Sequence, residues 1–456
     1  MSDTSDDSFS VDSDDVQRAV VAAAMGNALE WFDFSVYSYM AATIGSVFFP
    51  SHSDSAALLA AFAGFAVAFM VRPLGGLFFG PLGDKIGRSA VLATTIILMS
   101  IGTFAIGVLP SFQAIGIWAP IFLVLARLVQ GFSTGGEYGG AATFICEYSP
   151  DRNRGFLASF LEFGTLGGYI FGALLVLGTH MIMGDAAFHS WGWRIPFLFA
   201  APLGLFGLYL RLKLEDSPAF EAVKEKGEAK GSLGEVVSNH LRQLMLCMGL
   251  VLILNVAYYA ILTYLPSYLT SELDIGSIES TLLLVATMVG MMCVIYLFGA
   301  LSDRVGRKPV LVGACTGFIL LSYPAFAMLQ TTEVWGIVAG LVILGLLTVS
   351  LAGTMPATLP AIFPTNVRYG GFAIAYNIST ALFGGTAPYV IQWLIGVTGD
   401  KSVPAFYLMT AAAIALIPIL LIPETAARPL PGSKAQYARG SGTGGGGPQK
   451  QPAPAA

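Results

Sequence analysis

Apolar residues run through this chain in twelve stretches, at about 19–48, 56–82, 90–109, 115–146, 155–180, 193–212, 243–270, 280–300, 309–329, 334–362, 369–396 and 403–422, with short polar or charged segments between them. A helix of about 20 residues crosses the roughly 30 Å of bilayer hydrocarbon, so each stretch is long enough to span. Those that run longer predict tilt, kinks or extension beyond the bilayer. The pattern predicts an all-α membrane protein with twelve transmembrane helices. A charged interval at 213–242 separates a bundle of six helices, 19–212, from a second, 243–423. Within the interval, Glu221–Lys230 reads as a solvated linker or a short amphipathic helix.

The polar segments repeat. Gly80-Pro-Leu-Gly-Asp84-Lys-Ile-Gly87-Arg88 returns as Gly299-Ala-Leu-Ser-Asp303-Arg-Val-Gly306-Arg307, and Pro150-Asp-Arg-Asn-Arg154 returns as Pro364-Thr-Asn-Val-Arg368. Both pairs are offset by nearly the same interval, a little under half the chain. The two bundles are therefore copies of one unit and pseudo-symmetric, a common plan for carriers in which one half rocks against the other. In each nine-residue motif glycine permits a tight turn. The aspartate can pair with a cation on a neighbouring helix or accept from a helix N-terminus. Gly80, Asp84, Gly87, Arg88, Arg154, Asp303, Gly306, Arg307 and Arg368 are read as a gate, with Glu147 as the acid that Arg88 would meet. Ala361 stands where the second half would need its counterpart, so an asymmetric gate is expected.

Of the 23 Lys and Arg, all but Arg72, Arg127, Arg194 and Lys401 fall in the tails or on the loops of one face. Basic loops stay in the cytoplasm, which predicts cytoplasmic termini for a multi-pass protein of the bacterial inner membrane. Residues 1–15 hold six aspartates and no basic residue, unlike a cleavable signal. Residues 1–18 are expected to form a disordered acidic tail. The stretch 424–456, rich in Gly, Pro, Ala and Gln, is expected to be a second disordered tail.

Composition agrees with the spans: 55% of the 456 residues are hydrophobic and 11% charged, far below the roughly 25% charged of soluble domains. Mean hydropathy is +0.72. Cys146, Cys247, Cys293 and Cys315 show no ligand spacing and read as packing residues. With no nucleotide-binding glycine motif and no metal-spaced cluster, the chain does not read as an enzyme. Neither cofactor, metal nor nucleic acid is expected, and the oligomeric state is not encoded legibly.

Ionisable residues inside a span are expensive and point to function. The first six helices hold Glu30, Asp33, Arg72, Arg127, Glu137 and Glu162 in their interiors, and the last six hold none. Glu30, Asp33, Glu137 and Glu162 are the candidates for proton coupling; a static ion pair with Arg72 or Arg127 is the plain alternative. Helix 1 sets Asn27, Glu30, Phe34 and Tyr37 on one face, with Trp31 beside them. In the second half Asn255, Tyr258, Tyr259, Tyr376 and Asn377 are the polar and aromatic residues available. Aromatic faces attract quaternary ammonium groups, and Arg72 can fork onto a carboxylate. A small zwitterion would satisfy both ends, while packing accounts for such tyrosines equally well.

The motifs Gly26-Asn-Ala-Leu-Glu-Trp-Phe-Asp-Phe34, Arg72-Pro-Leu-Gly-Gly76, Gln130-Gly-Phe-Ser-Thr-Gly-Gly-Glu-Tyr138 and Trp191-Gly-Trp-Arg-Ile-Pro196 resemble the metabolite:proton symporter family of the major facilitator superfamily. Asn255-Val-Ala-Tyr-Tyr259, Leu265-Pro-Ser-Tyr-Leu269 and Thr358-Leu-Pro-Ala-Ile-Phe-Pro364 are most similar to its proline and glycine-betaine osmoprotectant transporters. The resemblance implies proton-coupled uptake of proline, glycine betaine or ectoine by alternating access, activated by external osmolality. The osmosensing members often end in a long coiled coil, and this tail has no heptad pattern. The alternative is a proton symporter of organic acids such as 2-oxoglutarate, citrate or shikimate; an anionic solute would call for more cations than the second half offers. A pore would need no gating motif on each half, which argues against a channel.

Overall fold

The computed structural model describes residues 9–11, 13–50, 53–86, 88–212, 239–331, 333–365, 367–433 and 436–438. The chain is helical almost throughout. The first half contains α1 (Ser13–Tyr39), α2 (Ala41–Phe48), α3 (Asp54–Ile86), α4 (Arg88–Val108), α5 (Phe112–Ile115), α6 (Trp118–Ser133), α7 (Glu137–Tyr148), α8 (Arg154–Ala187), α9 (Arg194–Leu198) and α10 (Ala200–Leu212). The second contains α11 (Leu241–Tyr258), α12 (Leu265–Ser267), α13 (Ser277–Val305), α14 (Arg307–Leu329), α15 (Val334–Thr358), α16 (Arg368–Ser379), α17 (Ala387–Thr398) and α18 (Val403–Leu421).

Among the described residues seven helical stretches are long and apolar enough to cross a membrane: Asp54–Phe79, Asp151–Gly192, Leu241–Glu272, Ser277–Val305, Arg307–Leu329, Val334–Thr358 and Val403–Leu421. Ala93–Val108 and Arg194–Tyr209 are shorter apolar helices. The other three stretches read from the sequence are broken. The first breaks at Met40, between α1 and α2. The fourth passes through a 3₁₀ turn at Thr134–Gly136, and the eleventh through a π turn at Thr380–Gly384. The seventh stretch carries two more π turns, at Tyr259–Tyr264 and Tyr268–Glu272. Hydropathy locates a span but not its interruptions, which are local changes of backbone hydrogen-bond partner.

In lipid, helices associate through close packing and interhelical hydrogen bonds. The α1–α8 pair shows how this sequence does it. Gly164, Gly168 and Gly172 lie four apart on one face of α8. A Cβ on the first two would stand 2.2 Å from the carbonyl oxygens of Ala24 and Ala28, and on the third 2.7 Å from Ser35 Oγ. Backbones in such contact let side chains of one helix reach the other. Asn27 donates to Leu161 O (2.9 Å) and Thr165 Oγ1 (2.5 Å), and Ser35 Oγ to Tyr169 O (2.8 Å).

Two seams join the halves: α8 lies against α13 and α15, and α3 against α16 and α17. A short parallel ladder, Phe9–Val11 with Gln436–Ala438, brings both ends of the chain to one face. Of the tails expected to be disordered at 1–18 and 424–456, the described residues 9–11, 13–18, 424–433 and 436–438 take a defined course. α1 begins at Ser13, and residues 424–433 follow a defined course with Leu430 buried. Backbone hydrogen bonds to the loops, which composition does not reveal, hold this segment down. The linker expected at 213–242 yields Leu241 and Arg242 to α11; its remainder up to residue 238, including Glu221–Lys230, lies outside the described residues. Replacing Gly168 by Leu should overpack the α1–α8 contact. The cost expected is about 1–3 kcal/mol, seen as a lower unfolding temperature of the purified protein in detergent, and an unchanged temperature would contradict the packing account.

Candidate functional site

At mid-membrane α1, α3, α7 and α8 meet α11 and α16. Glu30 Oε1 pairs with Arg72 Nη2 at 2.9 Å, both side chains 1% exposed. Arg72 Nε reaches Asn377 Oδ1 across the seam at 3.4 Å, and Asn377 Nδ2 donates to Gly135 O (2.5 Å). Gly135 can stand there because it has no Cβ: one would lie 2.2 Å from Arg72 O. Three buried polar atoms of this centre have no hydrogen-bond partner among the described residues: Glu30 Oε2, Arg72 Nη1 and Tyr259 Oη. Buried donors left unpaired cost about 1–3 kcal/mol each, more when charged. Arg72 and Tyr259 both pack on Phe69, at 5.3 Å and 5.2 Å from its ring.

Beside them Trp31 lies within 5.6–6.3 Å of Phe34, Tyr169, Tyr258 and Tyr259. Trp31 Nε1 donates to Asn27 Oδ1 (3.1 Å), which fixes its ring. Glu162 accepts from Tyr138 Oη and from Tyr258 Oη, the latter at 2.8 Å. Tyr138 stacks on Tyr376 at 4.2 Å. Glu162 is thus tied to both halves by hydroxyl donors. Tyr169 Oη and Thr263 Oγ1 make a further bond across the seam (2.7 Å).

Several residues expected around a solute are engaged elsewhere. Tyr37 donates to Ala61 O (2.9 Å) and lies under the Arg127 guanidinium, 4.2 Å away, inside the first half. Arg127 also holds Gln130 Oε1 (2.9 Å). Asn27 is used on α8, and Asn255 Nδ2 donates to Thr380 Oγ1 (3.0 Å) within the second half. Helical spacing says which residues share a face, not which neighbour that face meets. Glu30, Asp33 and Glu137 line a small cavity of about 10 Å³ with Met99 and Ser100 of α4 and Leu203 and Gly204 of α10. This space lies within the first half. Tyr138, Tyr169 and Phe69 escaped the sequence reading because aromatic residues in a membrane helix carry no mark of a seam.

On the face that carries the termini the halves are bridged. Asp303 Oδ1 and Oδ2 accept from the N–H groups of Gly155 (2.8 Å) and Phe156 (2.9 Å), so an acid of the second half caps α8 of the first. Gly299 and Gly155 meet here, each lacking a Cβ that would stand 2.6 Å from the other's carbonyl oxygen. Glu147 pairs with Arg368 of the opposite half at 2.9 Å. The side chain of Arg88, the partner expected for it, lies outside the described residues, as do that of Asp84 and, with them, Gly80 and Gly87. Arg154 is held by Asp151 (2.5 Å) and by Arg428 O (2.9 Å). Arg368 also donates to Pro431 O (2.8 Å), so the segment after α18 straps both halves.

An acid of that segment meets the backbone of the second motif. Glu424 accepts from the N–H groups of Arg307 (3.0 Å), Lys308 (3.1 Å), Thr425 (2.8 Å) and Ala426 (2.9 Å). Gly306, with φ 104°, is needed under it, since a Cβ would lie 2.7 Å from Glu424 Oε2. Arg307 Nη1 donates to Ala357 O (2.8 Å) and Thr425 Oγ1 (2.9 Å). Nothing at position 361 could have signalled Glu424, because Arg307 and Lys308 are more than a hundred residues away from it in sequence. Burial pushes the Glu424 carboxyl up, but the four backbone donors outweigh it and hold the group below the ordinary glutamate range. With a depressed folded value, the cap contributes above the unfolded value and is lost as pH falls through the folded one.

Helices of bilayer length, two halves joined along two seams, and a charged and aromatic centre between them define a multi-pass membrane carrier. The sequence profile described as the Major Facilitator Superfamily matches residues 23–384 and again 268–442. The chain is 46% identical over 438 residues to the glycine betaine/proline/ectoine/pipecolic acid transporter OusA of Dickeya dadantii (strain 3937), covering 94% of this chain and 87% of the relative. It is also 46% identical over 433 residues to the proline/betaine transporter of Salmonella typhimurium (strain LT2), covering 93% and 86%. The solved proton:xylose symporter XylE bound to 6-bromo-6-deoxy-D-glucose shares the fold, with a TM-score of 0.71 and 20% identity over 91% of this chain and 97% of that one. The chain belongs to the Major Facilitator Superfamily, and its architecture is that fold, twelve transmembrane helices in two six-helix bundles.

The Glu424 cap predicts a change at Cys146, a buried thiol that bonds Pro356 O (3.3 Å) behind the bridged face. In a background where exposed Cys293 is replaced by Ser, Glu424→Gln should speed alkylation of Cys146 by about tenfold, the weight of a charge-assisted hydrogen bond. Wild type should also lose thermal stability on acidification that Glu424→Gln does not lose. Equal alkylation rates and parallel pH profiles would contradict the cap.

Proposed function

We propose that this protein is a proton-coupled uptake carrier for small zwitterions, of the type of proline, glycine betaine and ectoine, working by alternating access. Its termini and the bridged face lie in the cytoplasm of a bacterial cell, as the basic loops imply. The observation that carries the reading is the pair of buried, unpartnered donors, Arg72 Nη1 and Tyr259 Oη, next to an aromatic cluster that ends in Glu162. A carboxylate would satisfy the two donors, Arg72 being suited to it by its planar fork. A secondary or quaternary ammonium would sit against Trp31 and Tyr258 with Glu162 as counter-charge. The solutes named for the curated relatives carry both groups on one small skeleton. An organic dianion would bring a second negative charge toward Glu162, which disfavours the other reading.

Glu30, Asp33 and Glu137 are the groups proposed to carry the proton. Binding of solute loosens the contacts across the centre, the Asp303 cap and the Glu147–Arg368 pair break, and the halves rock to open the bridged face. Osmotic upshift is taken to raise the rate.

Uptake of labelled proline, glycine betaine, ectoine and 2-oxoglutarate into proteoliposomes, with and without an inward proton gradient, tests the assignment. Gradient-driven accumulation of the zwitterions is expected; preference for 2-oxoglutarate would overturn it. Arg72→Lys should raise the KM for glycine betaine about 10–100-fold and Tyr259→Phe about 5–10-fold, the weights of charged and neutral hydrogen bonds. Unchanged KM in both would remove these residues from the solute site.

A further inference from the structure

We propose that the driving proton is held in a compartment of its own inside the first half, the cavity bounded by α1, α4, α7 and α10, and that Ser100 is a positioning residue for it. The inference rests on the symport reading and assigns a site to its coupling ion. Glu30 faces two ways. Oε1 is bound to Arg72 on the side where the solute is proposed to lie. Oε2, buried and without a partner, belongs to the carboxylate that lines the small cavity with Asp33, Glu137 and Ser100. The volume, about 10 Å³, holds roughly one water molecule and excludes any organic solute.

The surroundings of Glu30 divide in the same way. Its charged and titratable neighbours are Arg72 from α3, Asp33 from its own helix, Glu137 from α7, Glu162 from α8, and Tyr259 and Tyr376 from the second half. The cavity lining from α4 and α10 is apolar apart from the Gly204 backbone and the Ser100 hydroxyl, while Thr103 of α4 bonds the Asp33 side chain and Arg127 of α6 faces it. Gly204 keeps that hydroxyl in place, since a Cβ there would stand 2.1 Å from Ser100 Oγ.

Coupling then follows from exchange of counter-ions. The solute carboxylate takes Arg72, and Glu30 loses its partner. A carboxylate left unpaired in that setting is too costly to persist. A proton from a hydronium in the cavity bonds to Glu30 Oε2, leaving water behind, and the neutral acid no longer needs the guanidinium. When solute leaves on the other side, the proton returns to water and the Glu30–Arg72 pair re-forms. Each cycle moves one zwitterion and one proton, with a net charge of plus one.

Ser100→Ala and Gly204→Ala, each reconstituted in proteoliposomes, test the assignment by two readouts. Uphill uptake of glycine betaine driven by a pH gradient should fall several-fold in both, and its dependence on external pH should shift. Solute counterflow without a gradient should stay within about twofold of wild type, and Ser100→Thr should restore the uphill rate. If both alanine variants keep the wild-type pH dependence, the compartment is not the proton site. Were counterflow to fall equally with uphill uptake in both, Ser100 and Gly204 would be structural and the assignment would also fail. A wild-type protein whose uptake ignores the pH gradient altogether would instead remove the symport reading on which this rests.

Discussion

An arginine and a glutamate buried together in a membrane interior are stable only as a pair, because breaking a buried pair leaves one charge uncompensated at a cost of about 3–5 kcal/mol. Glu30 and Arg72 are such a pair, and the centre of this molecule is arranged around it. Arg72 is fixed from the far side by Asn377, so the pair already touches both halves. The α1–α8 glycine stripe and the close approach of Gly135 to the Arg72 backbone hold the two charged helices at the required distance. An ion pair with one unused donor and one unused acceptor is a contact that a zwitterion and a proton can replace together, leaving no charge alone. That gives a physical reason for the two to move jointly.

The bridged face obeys a different logic. There the bonds across the seam are made by helix N-termini, backbone carbonyls and the partly buried Glu147–Arg368 ion pair. A gate of many weak bonds can open without any step carrying a large penalty. In the second copy of the repeated motif the acid and the arginine have separate tasks. Asp303 reaches across to α8, whereas Arg307 is anchored within its own half by Glu424, from a segment that follows the last helix. The strap from Glu424 to Ser433 adds contacts from beyond the last helix to this face.

Much of this was legible in the residues. Charges such as Glu30 and Arg72 stand out in an apolar run because their cost there must be met by a partner, and a repeat offset is visible without any structure. Other parts were not. Asn27, Tyr37 and Asn255 share helical faces with central residues, yet their polar groups are spent on packing partners within one half. Periodicity fixes a direction around one helix axis and says nothing about how two helices cross. Glu424 was read as the start of a disordered tail, since composition registers the loss of apolar surface but not four waiting backbone donors. The π and 3₁₀ turns were equally silent, being local changes of hydrogen-bond partner in sequences that remain apolar.

The most direct measurement of the central claim is proton exchange on solute binding to the purified carrier in weakly buffered detergent solution, followed by a pH electrode. Addition of glycine betaine should draw protons from solution in step with binding, Glu30→Gln should bind without drawing them, and choline, which lacks the carboxylate that competes for Arg72, should draw none. Saturable binding of glycine betaine by the wild type with no proton uptake across the working pH range would contradict the account.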